Sequence, residues 1–162
     1  MTKNHFFIEL VEYYDIKESE LYNNAYGVPT SAYAVIDVNG RFLLGYNKWR
    51  DQWEFPAGKI DSGENAIDAA RRELLEETHQ DVEDLTFCGM FKIYDSKSKE
   101  YRFRAVYYGK IDEIEPFVTE EEDEMAQICL WKFGRNNIYV DEVDCKMIEM
   151  AVINNDKLAR HS

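Results

Sequence analysis

The sequence predicts a single α/β domain in which strands are layered with two helices. Three observations carry this. A chain of 162 residues with 45% apolar content fits one unit with a real core. Several short segments are rich in β-branched and aromatic residues or alternate like strands, while two longer ones repeat apolar residues at helical spacing. The two kinds are interleaved along the chain, which is the pattern of mixed layers and not of a helical bundle. No repeat and no Pro/Gly/Ser-rich linker divides the chain, so residues 1–162 read as one domain.

The first strand is expected over residues 5–14, starting from the run His5 to Val11. Ser31 to Val38 is rich in Tyr, Val and Ile, Asn39-Gly40 follows, and Arg41 to Tyr46 is again β-rich. That is a hairpin signal, because a tight primed turn needs positive φ and glycine supplies it cheaply. Trp53-Glu54-Phe55 is a short strand stopped by Pro56. Asn65 to Thr78 is a helix, capped by Asn65, with Ile67, Ala70 and Leu74 on one face. Residues 85–94 and 101–110 are strands joined by a turn at Ser96 to Lys99, and Gln127 to Phe133 is a later strand. Asp141 to Lys157 is a second helix burying Val143, Met147, Met150 and Ala151.

Composition narrows the function classes. The net charge of −13 repels a nucleic-acid polymer or an anionic membrane on average. A small phosphorylated substrate is less affected, because a bound cation reverses the local sign. Cys88, Cys129 and Cys145 are odd in number and widely spaced, so they read as reduced core thiols and not as a zinc or redox motif. The N-terminal apolar run is broken by Glu9 and Glu12, which fits neither a signal peptide nor a membrane span and points to a cytoplasmic protein.

The chemistry is concentrated between Gly58 and Thr78. Glu73 and Glu77 are four apart and share a helical face, and Glu76 flanks it. These carboxylates repel one another and sit near the helix C-terminus, where negative charge is disfavoured. Two local rules broken together mark a functional site. A hard cation bound by oxygen ligands, Mg²⁺ or Mn²⁺, removes both penalties. Arg72 can pair with Glu76 and reach back to Glu64, and Gly58 permits a tight turn that brings its carbonyl to the metal.

The spacing of Gly58, Glu64, Arg72, Glu73, Leu74, Glu76 and Glu77 resembles the box of the Nudix hydrolase superfamily, and Trp53 to Lys59 is similar to the lead-in of its MutT-like members. Two positions of the box, which spans 58–80, depart: His79 stands where the family has a helix-ending Gly, and Gln80 where it has an apolar residue. The resemblance implies the Nudix fold, a mixed β-sheet sandwiched between α-helices. It implies that the Gly58 carbonyl, Glu73, Glu76 and Glu77 hold the metal, and that Arg72 and Glu64 orient the loop and helix. Glu73 or Glu76 would act as the base, with Glu124 or Glu122 contributed by the acidic stretch Glu120 to Glu124.

The activity it implies is hydrolysis of a nucleoside diphosphate linked to another group. The leading expectation is a nucleoside triphosphate pyrophosphohydrolase, with oxidised nucleotides among its candidate substrates. The alternatives are an ADP-ribose or nucleotide-sugar pyrophosphatase, and a non-catalytic domain that senses a nucleotide. Tyr46, Trp49, Trp53, Phe91 and Tyr94 are candidates for stacking on a base, and Arg41, Lys48, Arg50 and Lys59 for contacting phosphates. The partner expected is a nucleotide-type small molecule, and a homodimer is compatible with the family.

Overall fold

The computed structural model describes residues 2–4 and 6–158. His5, which opens the first expected strand, lies outside the described residues. That strand, β1, spans Ile8–Tyr14. It is followed by β2 (Ser31–Val38) and β3 (Arg41–Asn47), joined at Asn39 and Gly40, both with positive φ as the hairpin signal requires. Next come β4 (Gln52–Glu54), β5 (Ala57–Lys59) and helix α1 (Ala66–Thr78). The chain then forms β6 (Thr86–Asp95), β7 (Glu100–Ile111), β8 (Met125–Trp131) and helix α2 (Glu142–Ile148).

One mixed sheet contains all eight strands, with a path β1-β6-β7-β2-β3-β4. Its centre is the parallel pair β2 and β7, in register from Ser31 beside Arg104 to Val38 beside Ile111. β2 then forks. Asp37 and Val38 pair with β3, while Ser31 to Tyr33 pair with β5. β8 pairs with β3.

Because side chains alternate across a strand, each face of the sheet builds its own core. Ala32, Ala34, Ile36, Ala105 and Tyr107 face α1 and pack with Ala66, Ala69, Ala70 and Leu74. Tyr33, Val35, Val106 and Tyr108 face the other way and pack with Val143 and Met147 of α2 and with Ala151 just beyond its end. The sheet is thus sandwiched between the two helices. Among the described residues no helix is long and apolar enough to cross a membrane.

Three expectations need correction. The second helix was expected to run to Lys157, but α-helical geometry ends at Ile148 and a π-helical turn carries the chain over Glu149–Ile153. The buried stripe of α1 is Ala66, Ala69, Ala70, Leu74 and Thr78, so Ile67 sits at its half-buried edge. Gly58 is not in a turn. It lies in β5, opposite Ala32.

Candidate active site

The small residues on the inner face of α1 let the helix lie close to the sheet and turn its charged side chains toward the sheet edge. Asn65 caps it by accepting the Asp68 N–H at 3.0 Å. Arg72 is the hub. Its guanidinium donates to both Glu64 oxygens at 2.7 and 2.9 Å, to Glu73 at 2.9 Å, to Glu76 at 3.3 Å and to the Lys59 carbonyl at 2.9 Å. The loop before the helix is therefore fastened to the helix. Hydrogen bonds from Arg72 hold the Glu64 carboxyl down to a pKa of about 2, and the same bonds raise that of Arg72.

Glu73 and Glu77 turn toward β5. The Glu73 carboxyl lies so close to Gly58 that any Cβ there would overlap it. This close approach is why the position takes glycine. Glu77 accepts the Ala57 N–H at 3.0 Å. Burial raises the pKa of Glu73. It pushes Glu77 up to about 9, helped by the neighbouring carboxylates Glu73, Glu54 and Glu124.

Two adjoining clefts share this cluster. One, of about 250 Å³, is lined by Glu54, Gly58, Glu73, Glu77 and Glu124. The other, of about 260 Å³, adds Glu76, His79 and Asp123 to Glu73, Glu77 and Glu124. Glu124 is held by Asn47 and, at 3.4 Å, by Arg50. Glu54 is nearly buried and accepts from Asn47, Arg50 and Gln52.

These residues fit a hard divalent cation in donor chemistry. They offer carboxylate oxygens and a backbone with no side chain in the way, and their mutual repulsion raises the cost of leaving them uncompensated. Among the described residues no three acidic, His or Cys side chains already converge tightly enough to grip an ion. The hydrogen bonds explain this, since Arg72 draws Glu73 and Glu76 one way and the Ala57 N–H holds Glu77 another.

The other sequence candidates are scattered. Arg50 and Lys59 border the site, lining a cavity that also contains Gly58. Tyr46 and Trp53 face each other across β3 and β4, with ring centroids 5.3 Å apart, and neither lines these clefts. Phe91 is fully buried and stacks on Tyr13, so its ring faces the core and not a ligand. Trp49 is exposed, and Tyr94 packs against Tyr101. Lys48 donates to the Glu121 carbonyl, and Arg41 lines a separate cavity with Trp131 and Arg135. Glu122 is absent from the lining of both clefts.

The sequence reading gave no role to Glu54, Tyr33, Arg104 or Asp144. A signal for Arg104 exists: strand alternation from Tyr101 to Val106 puts Arg102 and Arg104 on the same face as the core residue Val106.

The two departures from the box have structural work. His79 adopts φ 64° and ψ 17° and donates its N–H to Leu75, so it ends the helix in the left-handed conformation expected of the usual glycine. Its ring packs on Phe117 and its Nδ1 accepts the Val118 N–H at 3.4 Å. Gln80 is buried. Its amide accepts the Glu115 N–H at 2.7 Å and donates to the Glu115 carbonyl at 2.8 Å. Both residues tether the loop that leads to Glu124. Gln80→Ala should destabilise the fold by about 1 kcal/mol, because the exposed Glu115 backbone recovers water in place of the amide. Thermal unfolding measures the cost, and faster amide exchange at Glu115 reports the freed loop.

The NUDIX domain family model matches residues 26–138. YtkD of Bacillus subtilis, provisionally named an 8-oxo-dGTP diphosphatase, is 30% identical over 87 residues, covering 54% of this chain and 53% of that protein. The m7GpppN-mRNA hydrolase of Saccharomyces cerevisiae is 30% identical over 109 residues, which are 67% of this chain and 11% of that one. The chain thus spans about half the length of the first relative and a small part of the second. A MutT NUDIX hydrolase from Burkholderia pseudomallei shares the fold with a TM-score of 0.64 at 24% identity, over 74% of this chain and 95% of that one.

Proposed function

This chain belongs to the NUDIX domain family, whose model matches residues 26–138, and from that membership we propose that it is a metal-dependent hydrolase of the diphosphate linkage in a nucleoside diphosphate derivative, with nucleoside 5′-triphosphates as substrates. The observation that carries this is the convergence of Glu73, Glu77 and Glu124 on one cleft beside Gly58. A regulator that only senses a nucleotide has no need of so repulsive a cluster. The name of YtkD supports a triphosphate over a nucleotide sugar.

Glu73, Glu76, Glu77 and the Gly58 carbonyl would hold Mg²⁺ or Mn²⁺. Such an ion supplies charge neutralisation at the phosphates and makes water a better nucleophile. Arg72 keeps Glu73 and Glu76 in place by binding both while anchored on Glu64. Glu124, held by Asn47 and Arg50 and lining the cleft with Glu73 and Glu77, would take the proton from the attacking water. Arg50, which lines the carboxylate cleft, offers positive charge to the phosphate chain at the rim.

The test is release of phosphate or pyrophosphate from a panel containing ordinary and 8-oxo nucleoside triphosphates, ADP-ribose and nucleotide sugars. Turnover of triphosphates is expected with Mg²⁺ or Mn²⁺ and should vanish with chelator. Turnover of ADP-ribose alone would redirect the substrate assignment. A folded protein that binds a nucleotide but turns over nothing would overturn catalysis.

A further inference from the structure

On the α2 side of the sheet, next to the carboxylate clefts, lies a cavity of about 470 Å³. It shares Tyr33, Arg50, Ala57 and Gly58 with the cleft that holds Glu73 and Glu77, so the two spaces adjoin. Its lining is cationic in a chain of net charge −13: Arg50, Lys59, Arg102 and Arg104 all reach it.

The sheet register builds this wall. Ser31 is the partner of Lys59 on one side and of Arg104 on the other. The three residues form one row across β5, β2 and β7. With strands about 4.8 Å apart, the two cationic residues start roughly 10 Å from each other. Side chains of that length can close on a single small anion.

The cations of this wall are unequally paired. Arg102 is paired with Asp95 at 3.0 Å and Glu100 at 3.6 Å. Arg50 is taken by Glu54 and Glu124. Arg104 is mostly buried and meets one carboxylate, Asp144, through one nitrogen at 3.5 Å. Lys59 has no ion pair among the described residues. The cavity is also a poor slot for a base. Tyr33 is the aromatic residue in its lining, and the Arg104 guanidinium already lies over that ring, 5.5 Å from its centroid. The Tyr33 hydroxyl is engaged as well, donating to Asp144 at 3.0 Å.

We infer that Arg104 and Lys59 form a second anion subsite, which binds a phosphate carried on the nucleoside end of the substrate, one sugar away from the diphosphate that is cut. The inference rests on the hydrolase reading above and narrows its substrate class. The phosphate has two sources with shared chemistry: a mononucleotide bearing a 3′-phosphate, or the first internucleotide linkage of a 5′-triphosphorylated oligonucleotide.

The experiment compares kcat/KM for three substrates with Mg²⁺: a nucleoside 5′-triphosphate, the same compound with a 3′-phosphate, and a 5′-triphosphorylated dinucleotide. A phosphate bound by two cations should raise kcat/KM about tenfold or more over the plain triphosphate. Preference for the 3′-phosphorylated mononucleotide alone identifies the small-molecule source, and preference for the dinucleotide alone identifies the RNA end. In either case Arg104→Met should bring the ratio close to one, and Arg104→Lys should keep part of it. Circular dichroism checks that each variant folds. Lys59→Met, at an exposed position, gives the same ratio test should Arg104→Met fail to fold. Equal kcat/KM for all three substrates overturns the subsite while leaving the hydrolase intact. A dinucleotide preference that survives both variants also overturns it, since a second base would then be what is read. No turnover of any of the three would instead overturn the triphosphate reading on which the subsite rests.

Discussion

Glu76→Gln is expected to lower turnover by about a hundredfold or more, a loss of roughly 2.7 kcal/mol of transition-state stabilisation. The substitution keeps size and shape and removes one negative charge. Its effect on folding should be small. Glu76 is exposed, and its contact with Arg72 is a helical i,i+4 pair at 3.3 Å. Such exposed pairs contribute about 0.3–0.5 kcal/mol. The separation of a large catalytic effect from a small stability effect is therefore the signature to look for, by steady-state kinetics beside thermal unfolding. Activity within about threefold of the parent would show that Glu76 does not hold the cation.

Gly58→Ala should damage both stability and activity. The new methyl group would overlap the Glu73 carboxyl, which has little room to retreat because Arg72 holds it. Overpacking of this kind costs about 1–3 kcal/mol. The gain from a less flexible unfolded chain is only about 0.4–1 kcal/mol, so the clash wins. Displacing Glu73 should also lower turnover by about a hundredfold. A double-mutant cycle isolates the cause. In a Glu73→Ala background the added methyl has space, and its stability cost should disappear. A cost that persists there would place the strain in the β5 backbone and not at the carboxyl.

Much of the site was legible because its carboxylates lie on one helix, where spacing alone fixes which side chains meet. The Glu73, Glu76 and Glu77 cluster and its Arg72 and Glu64 supports follow from local rules, whereas the left-handed turn at His79 did not, because His adopts that conformation less readily than the glycine it replaces. The hairpin of β2 and β3 was legible from local rules too, through Asn39-Gly40. β5 was not, since Ala57-Gly58-Lys59 has no strand preference and becomes a strand by pairing with Ser31 to Tyr33. The early end of α2 was hidden because a π-helical turn keeps Ala151 buried, as a longer α-helix would. The cationic wall was hidden for a different reason. Lys59 and Arg104 are brought together by a strand that neither belongs to, so no spacing within one element announces them.

The central parallel pair also sets the order in which the molecule can be completed during synthesis. β2 has seven of its eight residues buried, and its long partner β7 lies far along the chain, beyond the whole carboxylate-bearing helix. Parallel pairing of distant segments must first overcome loop-closure entropy, so it forms late and slowly. Ser31 can meet Lys59 as soon as β5 has emerged from the ribosome, but it waits for Arg104 until β7 follows. Until then the most thoroughly buried strand of the described residues lacks its longest partner, and a stalled or shortened nascent chain would expose an edge prone to aggregation.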